Sequence, residues 1–173
     1  MNSLRTLCAL ALTGLLAATA ARAQEPAKPG PEHEHLKKYV GTWDVTMKMG
    51  GMETKGTATY KSTLGGLWLA SDFEGEVLGT KFQGHGMDSY DSAKKKYVAF
   101  WCDSMSTSPM MMEGTLDKAT KTLTMTGDGM GPDGTPAKNK TLTTWKDDDH
   151  FEFGMYMGEE KEPMFTITYK RKK

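Results

Sequence analysis

Cysteine is almost missing from this chain. Its 173 residues hold two, Cys8 and Cys102. Charge of one sign is missing too, because 22 Lys and Arg stand against 22 Asp and Glu. The one long apolar run, Leu7 to Ala18, is too short to span a hydrocarbon core comfortably, which takes roughly 20 apolar residues. There is no nucleophile elbow, H-E-x-x-H, P-loop or dinucleotide fingerprint, so none of these motifs supports catalysis. "DGMGPDG" and "DDD" lack the D-x-D-x-D-G spacing of a calcium hand and read as hairpin loops.

The N-terminus "MNSLRTLCALALTGLLAATAARAQ" explains the apolar run. Arg5, the run itself and the small residues ending in Ala21-Arg22-Ala23 form the three parts of a secretory signal. Cleavage after Ala23 is expected, with residues 1–23 removed and the product periplasmic or secreted. Cys8 lies inside the run, too early for a lipoprotein cysteine. Arg5 and Arg22 leave with the signal, so 20 basic residues then face 22 acidic ones, a net charge of −2. A near-neutral surface gives no broad electrostatic reason to bind nucleic acid or anionic membrane, and no stable membrane insertion is expected after cleavage. Cys102 becomes the only cysteine. No intramolecular disulfide can form, although an exported compartment favours them, and the fold must stand on its core.

What the mature chain does have is alternation. "QEPAKPGP" is proline-rich and aperiodic, so residues 24–31 read as a flexible linker. In "EHEHLKKYVG", Leu36, Tyr39 and Val40 recur at helical spacing and Gly41 can stop a short helix. His33 and His35 within it read as a solvated helix start, because i and i+2 fall on different helix faces and ligate jointly only poorly. From Trp43 onward, period-2 segments are separated by turn signals every 8–12 residues, the mark of a β sandwich or barrel. "YDSAKKKYV" and "LDKATKTLT" share hairpin chemistry. The expected fold is all-β: a single antiparallel up-and-down barrel of about 8–10 strands over residues 32–173, with one short N-terminal helix. Closure removes exposed sheet edges and leaves an interior that is filled or holds a small ligand.

The segment "YVGTWDVTM" has the Gly-x-Trp pattern of lipocalins and their calycin relatives. That resemblance implies that Trp43 closes one barrel end beneath a basic residue of the last strand, Lys170 or Arg171. The segments "GTATYKSTLGGLWL", "YDSAKKKYVAFWCDSMST", "MMMEGTLD" and "FTITYKRK" together resemble a bacterial family catalogued as domain of unknown function number 1579. The resemblance implies export and a calycin-type barrel. It brings no activity, catalytic residue or ligand.

Candidate binding residues concentrate in "WCDSMSTSPMMMEG". The strand "YVAFWC" is apolar on both parities, so either the Trp101 set or the Cys102 set points inward. With Trp101 inward, Asp103 meets low dielectric and needs a partner such as Tyr60, or stays protonated; with the other parity, Asp103 begins a solvent-facing turn. Trp43, Tyr60, Trp101, Asp103, Met105, Met110 and Met112 are the expected ligand-binding set, with the methionines as an adaptable rim. Thirteen of the 14 methionines lie beyond Met1. Met47/Met49, Met110/Met112 and Met155/Met157 are i,i+2 pairs, each facing one side of a strand. Thioethers with imidazole suit Cu(I), but methionine is also a filler of irregular apolar space. No cofactor or metal is assigned. Cys102 is expected to be buried and unpaired, and His150 has no partner spacing. The expected role is holding a small, mainly apolar ligand without chemistry. The alternatives are a soft-metal or redox-stress protein, a cavity enzyme around Asp103, and a filled barrel acting through a protein partner.

Overall fold

A computed structural model describes residues 25–131 and 134–173; the expected signal segment lies outside them. One helix, α1 (Pro31–Lys37), precedes ten strands: β1 (Gly41–Met49), β2 (Met52–Thr63), β3 (Trp68–Val77), β4 (Thr80–Asp91), β5 (Lys96–Asp103), β6 (Met110–Asp117), β7 (Thr122–Met130), β8 (Pro136–Asp147), β9 (His150–Met157) and β10 (Phe165–Arg171). Each strand pairs antiparallel with its sequence neighbour, and β10 returns to β1 to close the barrel. The expected up-and-down barrel is the observed one.

Closure follows from the residues. Period-2 alternation gives each strand an inward apolar row, and an open sheet would leave the row groups of β1 and β10 unpaired. The hairpin chemistry is equally local. Asp91 Oδ1 accepts from the amides of Ala93 and Lys94, and Asp117 Oδ1 accepts from those of Ala119 and Thr120. Lys95 and Lys121 then take left-handed backbone (φ 55° and 54°), which reverses the chain.

The two barrel ends differ. At the α1 end, Trp43, Trp145, Phe151 and Tyr169 pack with Tyr39 in one aromatic cluster. Phe151 stacks on Tyr169 with centroids 4.1 Å apart and meets Trp43 edge-on at 4.8 Å. Tyr39, just past α1, meets Trp145 at 4.9 Å and Phe151 at 5.1 Å. Trp43 is fully buried, and its Nε1 donates to the Tyr39 carbonyl at 2.8 Å. Of the two basic residues expected over Trp43, Arg171 takes the place. Its guanidinium carbon sits 4.1 Å from the ring centroid. Its nitrogens donate to the carbonyls of Val40, Lys38 and Asp148 at 2.8, 2.8 and 3.1 Å. Gly41 makes room for it: the backbone there has φ +133°, and a Cβ would stand 2.8 Å from Arg171 Nη1.

Helix α1 corrects one expectation. His33 is buried, with Nδ1 accepting from the Gly30 amide at 3.0 Å. His35 packs edge-on against Tyr39 and Tyr97. Neither is a solvated helix start. The helix lies across the barrel end, so residues on two of its faces are covered at once. Burial first, and the Lys38 charge second, push the His35 imidazole down to about 4.

Candidate functional site: the barrel interior

The strand register decides the parity that the sequence left open. Trp101 lies opposite Gly86 on β4 and Met110 on β6, and Ala99 lies opposite Asp88 and Met112. Trp101, Asp103, Met110 and Met112 therefore share the inner face, while Cys102 and Met111 point out. Cys102 is half-buried on the outer wall, less covered than expected of it, because among the described residues the outer face there has no second layer of protein over it.

Two large rings lie along the wall instead of crossing the interior. A Cβ on Gly84 would stand 2.2 Å from Trp101 Cζ2, and one on Gly86 would stand 3.3 Å from its Cε3. The indole thus rests flat against the bare backbone of β4. Its Nε1 donates to Asp103 Oδ2 at 2.9 Å, and Asp103 Oδ1 accepts from the Met105 amide at 2.9 Å. Asp103 is at once inward-facing and the start of a turn; its partner is Trp101, not Tyr60. On the neighbouring strands Phe73 lies over Gly56 and Gly75, whose Cβ atoms would meet it at 3.2 and 3.1 Å.

Among the described residues, the end away from α1 lacks the continuous aromatic cluster of the other. There the inward residues Phe82, Trp101, Met110, Phe153 and Phe165 stay partly exposed. The inward methionines gather at this end and in the middle: Met47, Met112, Met125 and Met155 are buried, with Met110 and Met157 nearer the mouth. The pairs that look scattered in the sequence all face the one interior, from β1, β6 and β9. Met105 is separate. It sits 56 % exposed on the loop between β5 and β6, and at the same end Met52 at the start of β2, Leu78 in the β3–β4 turn and Met130 at the end of β7 are similarly exposed. Trp43 belongs to the aromatic plug at the far end, and Tyr60, also at that end, sits among Tyr39, Phe151 and Tyr169. The expected set therefore divides: Trp101, Asp103, Met110 and Met112 line the wall together, Met105 tops the rim, and Trp43 and Tyr60 form the floor.

The sequence reading missed two inward polar groups. Asp88, on β4 opposite Leu69 and Ala99, is enclosed by protein, and that burial raises its carboxyl to about 7. Part of its surface remains accessible. Among the described residues it has no hydrogen-bond or ion-pair partner. Asn139 on β8 is 5 % exposed; its Nδ2 approaches Met110 Sδ at 3.8 Å and its Oδ1 has no partner among the described residues. The run Gly84-x-Gly86-x-Asp88-x-Tyr90 carried the signal, since one parity there holds both the bare backbone and the lone carboxyl.

A second polar group lies on the outer wall. His85 Nδ1 is 2.6 Å from Asp72 Oδ1, and His85 stands directly opposite Cys102 in the register. The β4–β5 register thus places beside Cys102 the histidine that no sequence neighbour provides. The pair is exposed, beside a shallow groove of about 290 Å³ between Thr59, Lys61, Glu74 and Gln83. Among the described residues there is no cluster of three or more His, Cys, Asp and Glu placed to hold a metal.

Comparison with known proteins places this barrel. The family model described as "Protein of unknown function (DUF1579)" matches residues 28–171. The chain belongs to this family. Its solved likenesses include Rv2717c from M. tuberculosis, 12 % identical with a TM-score of 0.57, covering 83 % of this chain and 99 % of that one. A redesigned beta barrel is 17 % identical with a TM-score of 0.43, covering 79 % and 94 %. No curated protein matches. At such identity the likeness to Rv2717c concerns the fold alone.

Proposed function

We propose that this member of the family is an exported binding protein that holds a small, mainly apolar molecule inside its barrel without transforming it. The observation that carries the reading is the placement of Trp101. A core built only for stability gains by driving its largest side chains across the interior until no space remains. Here the indole is laid against Gly84 and Gly86, pinned by Asp103, and left partly exposed near a methionine-lined mouth. Glycine in a strand weakens it, and a close approach by another group is one reason to keep it there. A concave apolar surface with a few fixed polar groups is what a small-ligand site requires, and methionine reshapes to fit different occupants. The inference from barrel to carrier also draws on fold analogy.

A polarity-sensitive apolar fluorophore tests this. It should bind the native protein, quench tryptophan emission and be displaced by fatty or aromatic molecules. Trp101→Ala should weaken binding while the barrel stays folded by circular dichroism. Absence of saturable binding to the native protein would remove the carrier role and leave a filled barrel acting through its surface. Export has its own test: N-terminal sequencing of protein from the periplasm or medium should begin at Gln24, and a mature chain retaining Arg5 would refute it.

A further inference from the structure

We infer that the occupant of the barrel carries a cationic ammonium head, seated against the Asp88 carboxylate and the tyrosine rings at the barrel floor, with its apolar portion directed toward the methionine-lined mouth. This inference rests on the carrier reading above and adds the chemical class of the ligand.

Three observations meet at Asp88. First, it points into the barrel and keeps part of its surface accessible there. Second, the protein supplies no counter-charge or hydrogen bond to it among the described residues. A carboxyl taken out of water without a partner is costly, and proteins rarely keep one except for a task. Asp103, the other inward carboxyl on this side, is fully engaged by Trp101 and its own turn. Third, the groups around Asp88 are aromatic and uncharged. Tyr39 beyond α1, Tyr60 on β2 and Tyr169 on β10 all interact electrostatically with it. Burial raises all three hydroxyls, Tyr169 to about 12, so they remain neutral at physiological pH. Neutral tyrosines present ring faces and hydroxyls, both of which favour a cation. An anion would meet the carboxylate's own charge in low dielectric.

The depth suits a head-and-tail molecule. From Gly84, beside Trp101 near the mouth, to Asp88 is four residues along β4, about 13 Å at 3.3 Å per residue. A ligand whose head reaches Asp88 therefore lays its apolar part past Trp101 and Met110. Pairing with an ammonium stabilises the ionised carboxyl, so binding at mildly acid pH expels a proton from Asp88 to the buffer.

Three probes of equal chain length separate head from tail: octylammonium, octanol and octanoate. Titration calorimetry on the wild-type protein at pH 7.5 should rank octylammonium at least tenfold tighter than octanol, with octanoate weakest. In Asp88→Asn the ammonium preference should vanish while octanol binding persists. Should that variant not fold, wild-type titrations at pH 6 in buffers of different ionisation enthalpy give the second readout, with about one proton released per octylammonium bound. Octanol binding without ammonium preference, the same preference in Asp88→Asn, or no proton release overturns the head-group assignment and leaves the carrier intact. Failure of all three probes to bind overturns both.

Discussion

At the α1 end of the barrel, Tyr39, Trp43, Trp145, Phe151 and Tyr169 interlock in one cluster; at the opposite end, among the described residues, the rings meet only in pairs, Phe73 with Phe82 and Phe153 with Phe165, and Trp101 lies against the bare backbone of Gly84 and Gly86. The connecting segments differ as well. The turns between β4 and β5, β6 and β7, and β8 and β9 are built on Asp91, Asp117 and Asp147 with lysines around them. The loops and strand ends at the mouth expose Met52, Leu78, Met105 and Met130. One end has the composition of a core under a solvated surface. The other has apolar groups where water reaches them, the pattern of a surface meant to be covered. If the proposed carrier role holds, the α1 end mainly supplies stability and the mouth admits the apolar part of the ligand, so substitutions at the two ends should separate the two effects.

The largest effect should come from the plug. Trp43→Ala removes a fully buried indole from contact with Phe151 and Trp145 and from beneath Arg171. Urea denaturation should show a loss of about 3–5 kcal/mol. A loss below about 1 kcal/mol would mean that the α1 end is not the stability centre of the barrel. Arg171 comes next. Its guanidinium reaches three backbone carbonyls while lying on Trp43, geometry that a lysine ammonium cannot reproduce. Arg171→Lys should therefore behave nearly as badly as Arg171→Met in thermal unfolding; full rescue by lysine would reduce the role to simple charge.

Two buried groups should tilt stability with pH in opposite directions. Asp88 is raised to about 7 from 3.8, so between those values the folded state binds more protons than the unfolded one. Its contribution is intact below pH 3.8 and is lost as pH rises through 7. His35 is lowered to about 4 from 6.5, so the unfolded state binds more protons in that window. Its contribution is intact above pH 6.5 and is lost as pH falls through 4. Each slope is at most about 1.4 kcal/mol per pH unit for a full proton difference. Asp88→Asn should thus gain on the wild type most at pH 8 and least at pH 4. His35→Phe should gain most at pH 4. Denaturation midpoints across that range settle both, and parallel wild-type and variant curves would show that these groups are not the ones titrating.

The fold was legible in the sequence because its causes are local. Alternation from Trp43 to Met49, the Asp-initiated hairpins and the stop at Gly41 each follow from a few neighbouring residues. The candidate site was legible only in part. "YVAFWC" is apolar on both parities, so no local pattern says that Trp101 faces in; the register with Gly86 and Met110 does. Asp88 hides for a different reason. It sits between Met87 and Ser89 as one charged residue in a mixed strand, and its isolation exists only once Tyr39, Tyr60 and Tyr169 arrive from distant segments. His33 and His35 misled because helix periodicity reports one buried face, whereas a helix lying across a barrel end is covered on more than one. The facing of His85 on Cys102 is likewise a product of register.

The smallest effect should be at the mouth, and its smallness is informative. Met110 and Met112 point inward beside Trp101 and Ala99, and Met110 Sδ is 3.8 Å from Asn139 Nδ2. Leucine keeps nearly the volume of methionine and removes the sulfur, a swap that usually costs below about 1.5 kcal/mol. If the methionines act as apolar, adaptable lining, Met110→Leu with Met112→Leu should leave unfolding almost unchanged. Fluorophore affinity should shift by only a few-fold, since shape is altered slightly and polarity hardly at all. If they act through their thioethers, the outcome inverts: the wild type should bind Cu(I) or Ag(I) tightly at one site by calorimetry, and the double variant should lose that binding with its stability intact. Gly84→Ala is the matching probe from the opposite direction, because it leaves every sulfur in place and drives a methyl into Trp101 Cζ2. Fluorophore binding that falls in Gly84→Ala but survives the double leucine variant identifies the flat indole, not the sulfur, as the feature that shapes the mouth.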